Sequence, residues 1–117
     1  MLIKTPQKYI SEGDAIKKSG EYVAEYSKNP LIIGGKTALS VALEKLKNSF
    51  IANGITSDNV EIFEGYPSEN QFEKYSNLAK KIGADSIVAL GGGRVIDTAK
   101  AAAELADIPV ITVPTIA

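Results

Sequence analysis

The sequence predicts an α/β fold, an open and mostly parallel sheet with helices on both faces. Three observations carry that expectation. Four short apolar runs stand out: Leu31-Ile32-Ile33, Val60-Glu61-Ile62-Phe63, Ser86-Ile87-Val88-Ala89-Leu90 and Pro109-Val110-Ile111-Thr112-Val113. The last two are nearly continuous aliphatic runs, the pattern of strands covered on both faces. Starts at positions 31, 60, 87 and 110 are spaced by 29, 27 and 23 residues, the length of a strand plus a crossover helix. The segments between the runs carry helical periodicity. Strand–helix alternation of this kind calls for a parallel sheet wrapped on both sides.

Each element has its own local signal. A first helix is expected from about Glu12 to Ser27, capped by Ser11 with Asp14 three residues on, and Pro30 then leads into the first strand. After that strand, Leu39, Leu43, Leu46 and Phe50 recur at steps of 4, 3 and 4, an apolar stripe at helical spacing. Glu44, Lys45, Lys47 and Asn48 fill the opposite side, and Gly54 is placed to stop this helix. The next helix opens on Ser68-Glu69-Asn70-Gln71, a capping-box pattern. Phe72, Tyr75, Ala79 and Ile82 form its buried stripe, and Gly83 ends it. From Val95 to Ala106 the sequence is alanine-rich, so a helix there can lie close to the sheet.

Composition bounds the chemistry. A chain of 117 residues with 44% hydrophobic residues is one domain's worth of protein with a real core. Thirteen Lys+Arg against 14 Asp+Glu give a formal charge of −1, which supplies no basic footprint for nucleic acid. There are no cysteines and no histidines. Disulfides, thiol nucleophiles and serine–histidine catalysis are thereby excluded, and a metal site built from this chain alone would need carboxylates. Much of any enzyme chemistry must sit elsewhere. The opening Met1 to Lys8 lacks an apolar signal region. The apolar stretch at 108–117 is too short to span a bilayer and carries two prolines. A cytoplasmic protein with no membrane partner is expected.

In open parallel sheets, ligands sit beyond the carboxyl ends of the strands. Three segments therefore matter: Gly34-Gly35-Lys36-Thr37, Glu64-Gly65-Tyr66-Pro67-Ser68 and Gly91-Gly92-Gly93-Arg94. The last leaves a buried strand and opens a helix. Its glycines let backbone approach a ligand, and the helix start offers free N–H groups and partial positive charge. A pyrophosphate fits that description; a tight turn without a ligand fits it too. Arg94 opposes the helix dipole there, which suits a bound anion. The G-x-G-x-x-G fingerprint is not met, because Ile96 holds its third glycine position, and the P-loop pattern is absent. Asp97 is expected in the first helical turn, with Lys100 as its intrahelical partner. After the first strand there is no acid for ribose hydroxyls but Lys36 is near, which favours tolerance of a 2′-phosphate. Pro114-Thr115 can turn a hydroxyl toward the same crevice.

The block Gly91-Gly92-Gly93-Arg94-Val95-Ile96-Asp97-Thr98-Ala99-Lys100, followed by Pro109-Val110-Ile111-Thr112-Val113-Pro114-Thr115, resembles the iron-containing (group III) alcohol dehydrogenase superfamily, and within it the glycerol dehydrogenases. Pro6, Tyr9, Gly13 and the loop Glu64-Gly65…Ser68-Glu69-Asn70 are similar to that family as well. The resemblance runs through the whole chain. It implies a Rossmann-like, N-terminal dinucleotide-binding domain over residues 1–117. It also implies a helical domain outside this chain that holds zinc or iron through an aspartate and two histidines.

By the same resemblance the cofactor is NAD or NADP. Its binding residues are Gly35, Lys36, Gly91, Gly92, Gly93, Arg94, Val95, Asp97 and Thr115. Asp97 faces the nicotinamide side, and Thr115 contacts the nucleotide. Gly35 stands where glycerol dehydrogenases carry an aspartate favouring NAD. No catalytic residue and no metal ligand falls in this chain. The implied protein is an NAD(P)-dependent, metal-assisted oxidoreductase of small alcohols or polyols, of which this chain is the cofactor half, inactive alone. The implied metal polarises the alcohol oxygen while hydride passes to the nicotinamide. A glycerol-1-phosphate dehydrogenase-like relative is the nearest alternative, suited by Gly35 and Lys36. Dehydroquinate synthase continues differently after the aspartate. A non-catalytic nucleotide-binding or assembly module, with the alanine-rich helix and apolar tail as interface, stays open, as does a homo-oligomer.

Overall fold

Five strands form one wholly parallel sheet in a computed structural model that describes residues 8–9 and 13–114. In chain order the elements are β1 (Lys8–Tyr9), α1 (Gly13–Ala24), β2 (Pro30–Gly35), α2 (Lys36–Ala52), β3 (Val60–Phe63), α3 (Glu69–Ile82), β4 (Ser86–Gly91), α4 (Gly93–Ala106) and β5 (Val110–Pro114). The sheet order is β1-β5-β4-β2-β3, with every pair parallel. The expected α/β class and all four expected strands are present. The fifth strand, β1, was not legible: two residues pairing with Ile111 and Thr112 carry no periodicity. Among the described residues no helix is long and apolar enough to cross a membrane.

Alternation along the strands divides the core into two layers. Ile32, Val88, Leu90, Ile111 and Val113 point to one face and pack with Val23 of α1 and Leu39, Ala42, Leu46 and Phe50 of α2. Leu31, Ile33, Ile87, Ala89 and Val110 point to the other, against Tyr75 and Ala79 of α3 and Ala99, Ala102 and Ala103 of α4. Both faces of β2 and β4 are covered, so their runs are apolar at every position but Ser86, whose hydroxyl donates to Ser27. Each fully buried aliphatic chain contributes about 1.5–3 kcal/mol. Right-handed crossovers that run outward in opposite directions put their helices on opposite faces. That is how α2 and α4 come to diverge from neighbouring strands.

Helix ends follow their stop signals. Gly54, at φ 72°, follows α2, and the Ile55 N–H reaches back to the Phe50 carbonyl at 2.9 Å. Gly83 at φ 67° closes α3 in the same way, with Ala84 N–H on the Ala79 carbonyl at 2.8 Å. Asp107 takes the left-handed position after α4. The capping box of α3 is half made. Ser68 accepts from the Gln71 N–H at 3.3 Å, and the Gln71 side-chain amide donates to the Glu64 carbonyl at 3.2 Å, but its Oε1 accepts no return bond from the Ser68 N–H.

The first helix is shorter than expected, ending at Ala24 instead of Ser27. The N–H groups of Tyr26 and Ser27 both turn onto the Val23 carbonyl, at 2.9 and 2.8 Å. The Ser27 hydroxyl then donates to Asp85, and Ser86 donates to Ser27 at 2.7 Å. A distant carboxylate outbids one more helical turn. Ser11 and the side chain of Asp14, the expected cap, lie outside the described residues.

Candidate functional site

Strand order places the site. From β2 the chain moves to β3 on one side, then crosses back to β4 on the other. The carboxyl ends of β2 and β4 therefore lie side by side while their helices leave toward opposite faces, the switch point where such sheets bind ligands. Gly34 pairs with Leu90, which brings Gly35 and Gly91 together.

The expected loop Gly34-Gly35-Lys36-Thr37 is no loop. β2 runs through Gly35, and α2 starts at Lys36. The packing explains the economy. Gly34 is buried, and a Cβ there would sit 2.7 Å from the Leu39 side chain. Gly91 has φ +143°, a conformation suited to glycine, and a Cβ on it would lie 3.7 Å from the Gly35 nitrogen. The side chain of Val95 fills this junction, 3.5 Å from the Cβ position of Gly91 and 3.8 Å from that of Gly35. Val95 is 5% exposed, so its side chain is closed to a ligand.

Beyond that plug the surface opens. A Cβ on Gly92 or Gly93 would meet nothing within 4 Å. Gly92 caps α4 and Gly35 caps α2, both in extended backbone and neither with a side-chain bond to the helix. The first N–H groups of a helix have no acceptor within it, and the first backbone bond into α4 runs from Ile96 to Gly92 at 3.0 Å. Neither helix carries an acid in its first turn. Each instead opens with an exposed cation, Lys36 on α2 and Arg94 on α4. By contrast α3 has Ser68 as its cap, Glu69 in its first turn and Lys80 and Lys81 in its last, which stabilises that helix on its own. Two uncapped, cationic helix starts facing one crevice are complementary to an anion.

Asp97 sits elsewhere than expected. Because α4 begins at Gly93, Asp97 is in the second turn, one turn beyond Gly93 on the same face, and it is exposed. Capping by Asp97 is thus ruled out by geometry. Thr115 lies outside the described residues. The residue that sequence reading passed over is Tyr66. The residue is 69% exposed, and the Arg94 guanidinium lies over its ring with the central carbon 3.9 Å from the ring centroid. Since β3 and β4 flank β2, this contact bridges the two loops on either side of the switch strand. Glu64 and Ser68, one before and one after Tyr66, both bond to Gln71.

The sequence profile of iron-containing alcohol dehydrogenases matches residues 6–117. The chain belongs to that family. Within the family it is similar to the glycerol dehydrogenase of Pseudomonas putida, 35% identical over 115 residues, which cover 98% of this chain and 31% of that protein. It is likewise similar to the NAD(P)+ glycerol-1-phosphate dehydrogenase of Methanocorpusculum labreanum, 36% identical over 118 residues, with 98% and 31% covered. The crystal structure of glycerol dehydrogenase from Schizosaccharomyces pombe has the same fold. Its TM-score is 0.81 at 24% identity, over 97% of this chain and 28% of that one. A probable glycerol dehydrogenase from Sinorhizobium meliloti gives a TM-score of 0.76 at 28% identity, over 95% and 29%. The chain spans about a third of the length of the curated relatives it matches.

Membership of an iron-containing family raises the question of the metal, and the described residues do not fit one. The chain has no histidine or cysteine, and no group of three His, Cys, Asp or Glu side chains among the described residues could hold an ion. A dinucleotide fits better. Its pyrophosphate is an anion, and the open backbone at Gly92 and Gly93 is where one can approach two helix starts.

Proposed function

We propose that the β2/β4 crevice binds a nicotinamide dinucleotide, and that this chain is the cofactor-binding part of an NAD(P)-dependent alcohol or polyol dehydrogenase. The observation that carries the reading is the pair of helix starts at Gly35 and Gly92, uncapped by any side chain and bordered by open space at Gly92 and Gly93. The family and the glycerol dehydrogenase relatives support it.

In this reading the N–H groups of Gly93, Arg94 and Val95 receive the pyrophosphate, and the Arg94 side chain adds a charged donor. Gly35 and Lys36 border the adenosine ribose, Asp97 stands toward the nicotinamide, and Thr115 meets the nucleotide. Gly91 lies buried at the base of the site. With Val95 it shapes the turn that delivers the neighbouring N–H groups. The bound dinucleotide would supply a hydride carrier. The zinc or iron of the full enzyme would take its ligands from residues outside this chain.

A glycerol-1-phosphate dehydrogenase-like enzyme is a second reading with an observation of its own. An exposed lysine, with no acid, follows directly on β2, which suits the 2′-phosphate of NADP. Titrating the chain with NADH and with NADPH while following nicotinamide fluorescence tests both. Binding of either supports the cofactor site, and NADPH binding at least as tightly as NADH favours the second reading. A folded chain that binds neither overturns the proposal and leaves an interaction module.

A further inference from the structure

We propose that Tyr66 is a positioning residue of the dinucleotide site. Its ring holds the Arg94 guanidinium in place over the crevice mouth, so that the cation meets the pyrophosphate already oriented. The inference rests on the reading of the crevice as a dinucleotide site.

The argument starts from the problem Arg94 presents. It is the second residue of α4, where the helix dipole repels a cation. Its side chain is exposed and long, and an unrestrained arginine loses rotamer entropy when a ligand fixes it. It lies over the Tyr66 ring, at 3.9 Å from guanidinium carbon to ring centroid. This contact is well inside the range of cation–π attraction.

The choice of an aromatic partner has a chemical consequence. A carboxylate would hold the guanidinium by its N–H groups, the same groups a phosphate needs, and would cancel its charge. A ring face attracts the cation without accepting those N–H bonds in the ordinary way. All five donors and the full charge remain for a bidentate phosphate contact.

The loop is built to keep the ring there. Gln71, in the first turn of α3, is bonded on both sides of Tyr66. Its backbone N–H reaches the Ser68 hydroxyl at 3.3 Å, and its side-chain amide reaches the Glu64 carbonyl at 3.2 Å. Gly65, at φ +88°, makes the turn, and Pro67 fixes the backbone on the far side of the ring. With 69% of its surface exposed, Tyr66 is not held there by burial in the core.

A double-mutant cycle on the full 117-residue chain tests this, reading the Kd for NADH by fluorescence. Tyr66→Leu is expected to weaken binding about two- to fivefold, the range of an exposed cation–π contact. Tyr66→Phe should recover most of that loss. In an Arg94→Met background, Tyr66→Leu should cost nothing further, because its effect passes through the guanidinium. Urea midpoints of Tyr66→Leu and Tyr66→Gln should match the parent, which separates positioning from folding. If the parent binds NADH and Tyr66→Leu binds it equally well, or if the two losses add, the positioning role is wrong while the dinucleotide site stands. If the folded parent binds neither NADH nor NADPH, the site itself is wrong and this inference falls with it.

Discussion

The hydroxyl of Ser27 donates to the carboxylate of Asp85 across 58 residues of sequence. Asp85 also accepts from the N–H groups of Lys28 at 2.9 Å and Asn29 at 3.0 Å. One side chain just before β4 thus gathers the whole turn that feeds β2. Burial alone would raise the pKa of Asp85, but the bonds from Ser27, Lys28 and Asn29 outweigh it and hold the carboxyl below its ordinary 3.8.

This group should make the fold acid-sensitive. Its folded pKa lies below its unfolded one, so its stabilisation is complete above about pH 4 and is lost as pH falls through the folded value. Urea midpoints between pH 7 and pH 2 should show the parent losing more stability than Asp85→Asn. At neutral pH, Asp85→Ala should cost about 1–2 kcal/mol, since it strands two N–H donors and the Ser27 hydroxyl. Equal acid slopes in parent and variant would contradict the assignment.

Gly20 is the contact point of α1 with α2. Its N–H donates to the Ser49 hydroxyl at 2.8 Å, and a Cβ would fall 2.2 Å from the Ser49 carbonyl oxygen. Alanine ordinarily gains about 1 kcal/mol over glycine within a helix. Here the clash is with backbone, which cannot swing aside, and overpacking of this kind costs about 1–3 kcal/mol. Gly20→Ala should therefore lower the melting midpoint, against the propensity trend.

Thr98 presents the opposite case. It is fully buried on α4, and its hydroxyl oxygen has no hydrogen-bond partner among the described residues. Valine has nearly the same shape without that group. Thr98→Val should raise stability by about 1 kcal/mol in denaturant titration. A loss of stability would show that the hydroxyl is satisfied in solution.

The three glycines of the turn should separate by role. Gly91→Ala forces a side chain onto φ +143° beside Val95 and Ala38, and should destabilise the fold by about 1–2 kcal/mol. Gly92 has extended backbone and open surroundings, so Gly92→Ala should stay within about 0.5 kcal/mol of the parent. Its methyl group would nonetheless stand where the proposed pyrophosphate approaches, and NADH binding should weaken. Unchanged binding in Gly92→Ala would argue that the glycines serve the turn alone.

Four of the five strands, the glycine stops of α2 and α3 and the glycine-rich turn were readable in the chain. Ile32 and Ile33 announce a strand buried on both faces through their neighbours alone, and Gly83 announces its helix end by the backbone angle it permits. Such signals act within a few residues, so no knowledge of the fold is needed to see them. Asp97 shows the limit even there, because α4 starts two residues earlier than expected, at Gly93, and leaves it in the second turn.

The rest depended on which strands became neighbours. Gly35 meets Gly91 only because β4 inserts beside β2, and Tyr66 reaches Arg94 only because β3 and β4 flank that strand. Ser27 left its helix for a carboxylate that the same strand order brought near. Local periodicity makes the elements. Their pairing, and with it the convergence of two bare helix starts on one crevice, is decided by burying both faces of the sheet at once.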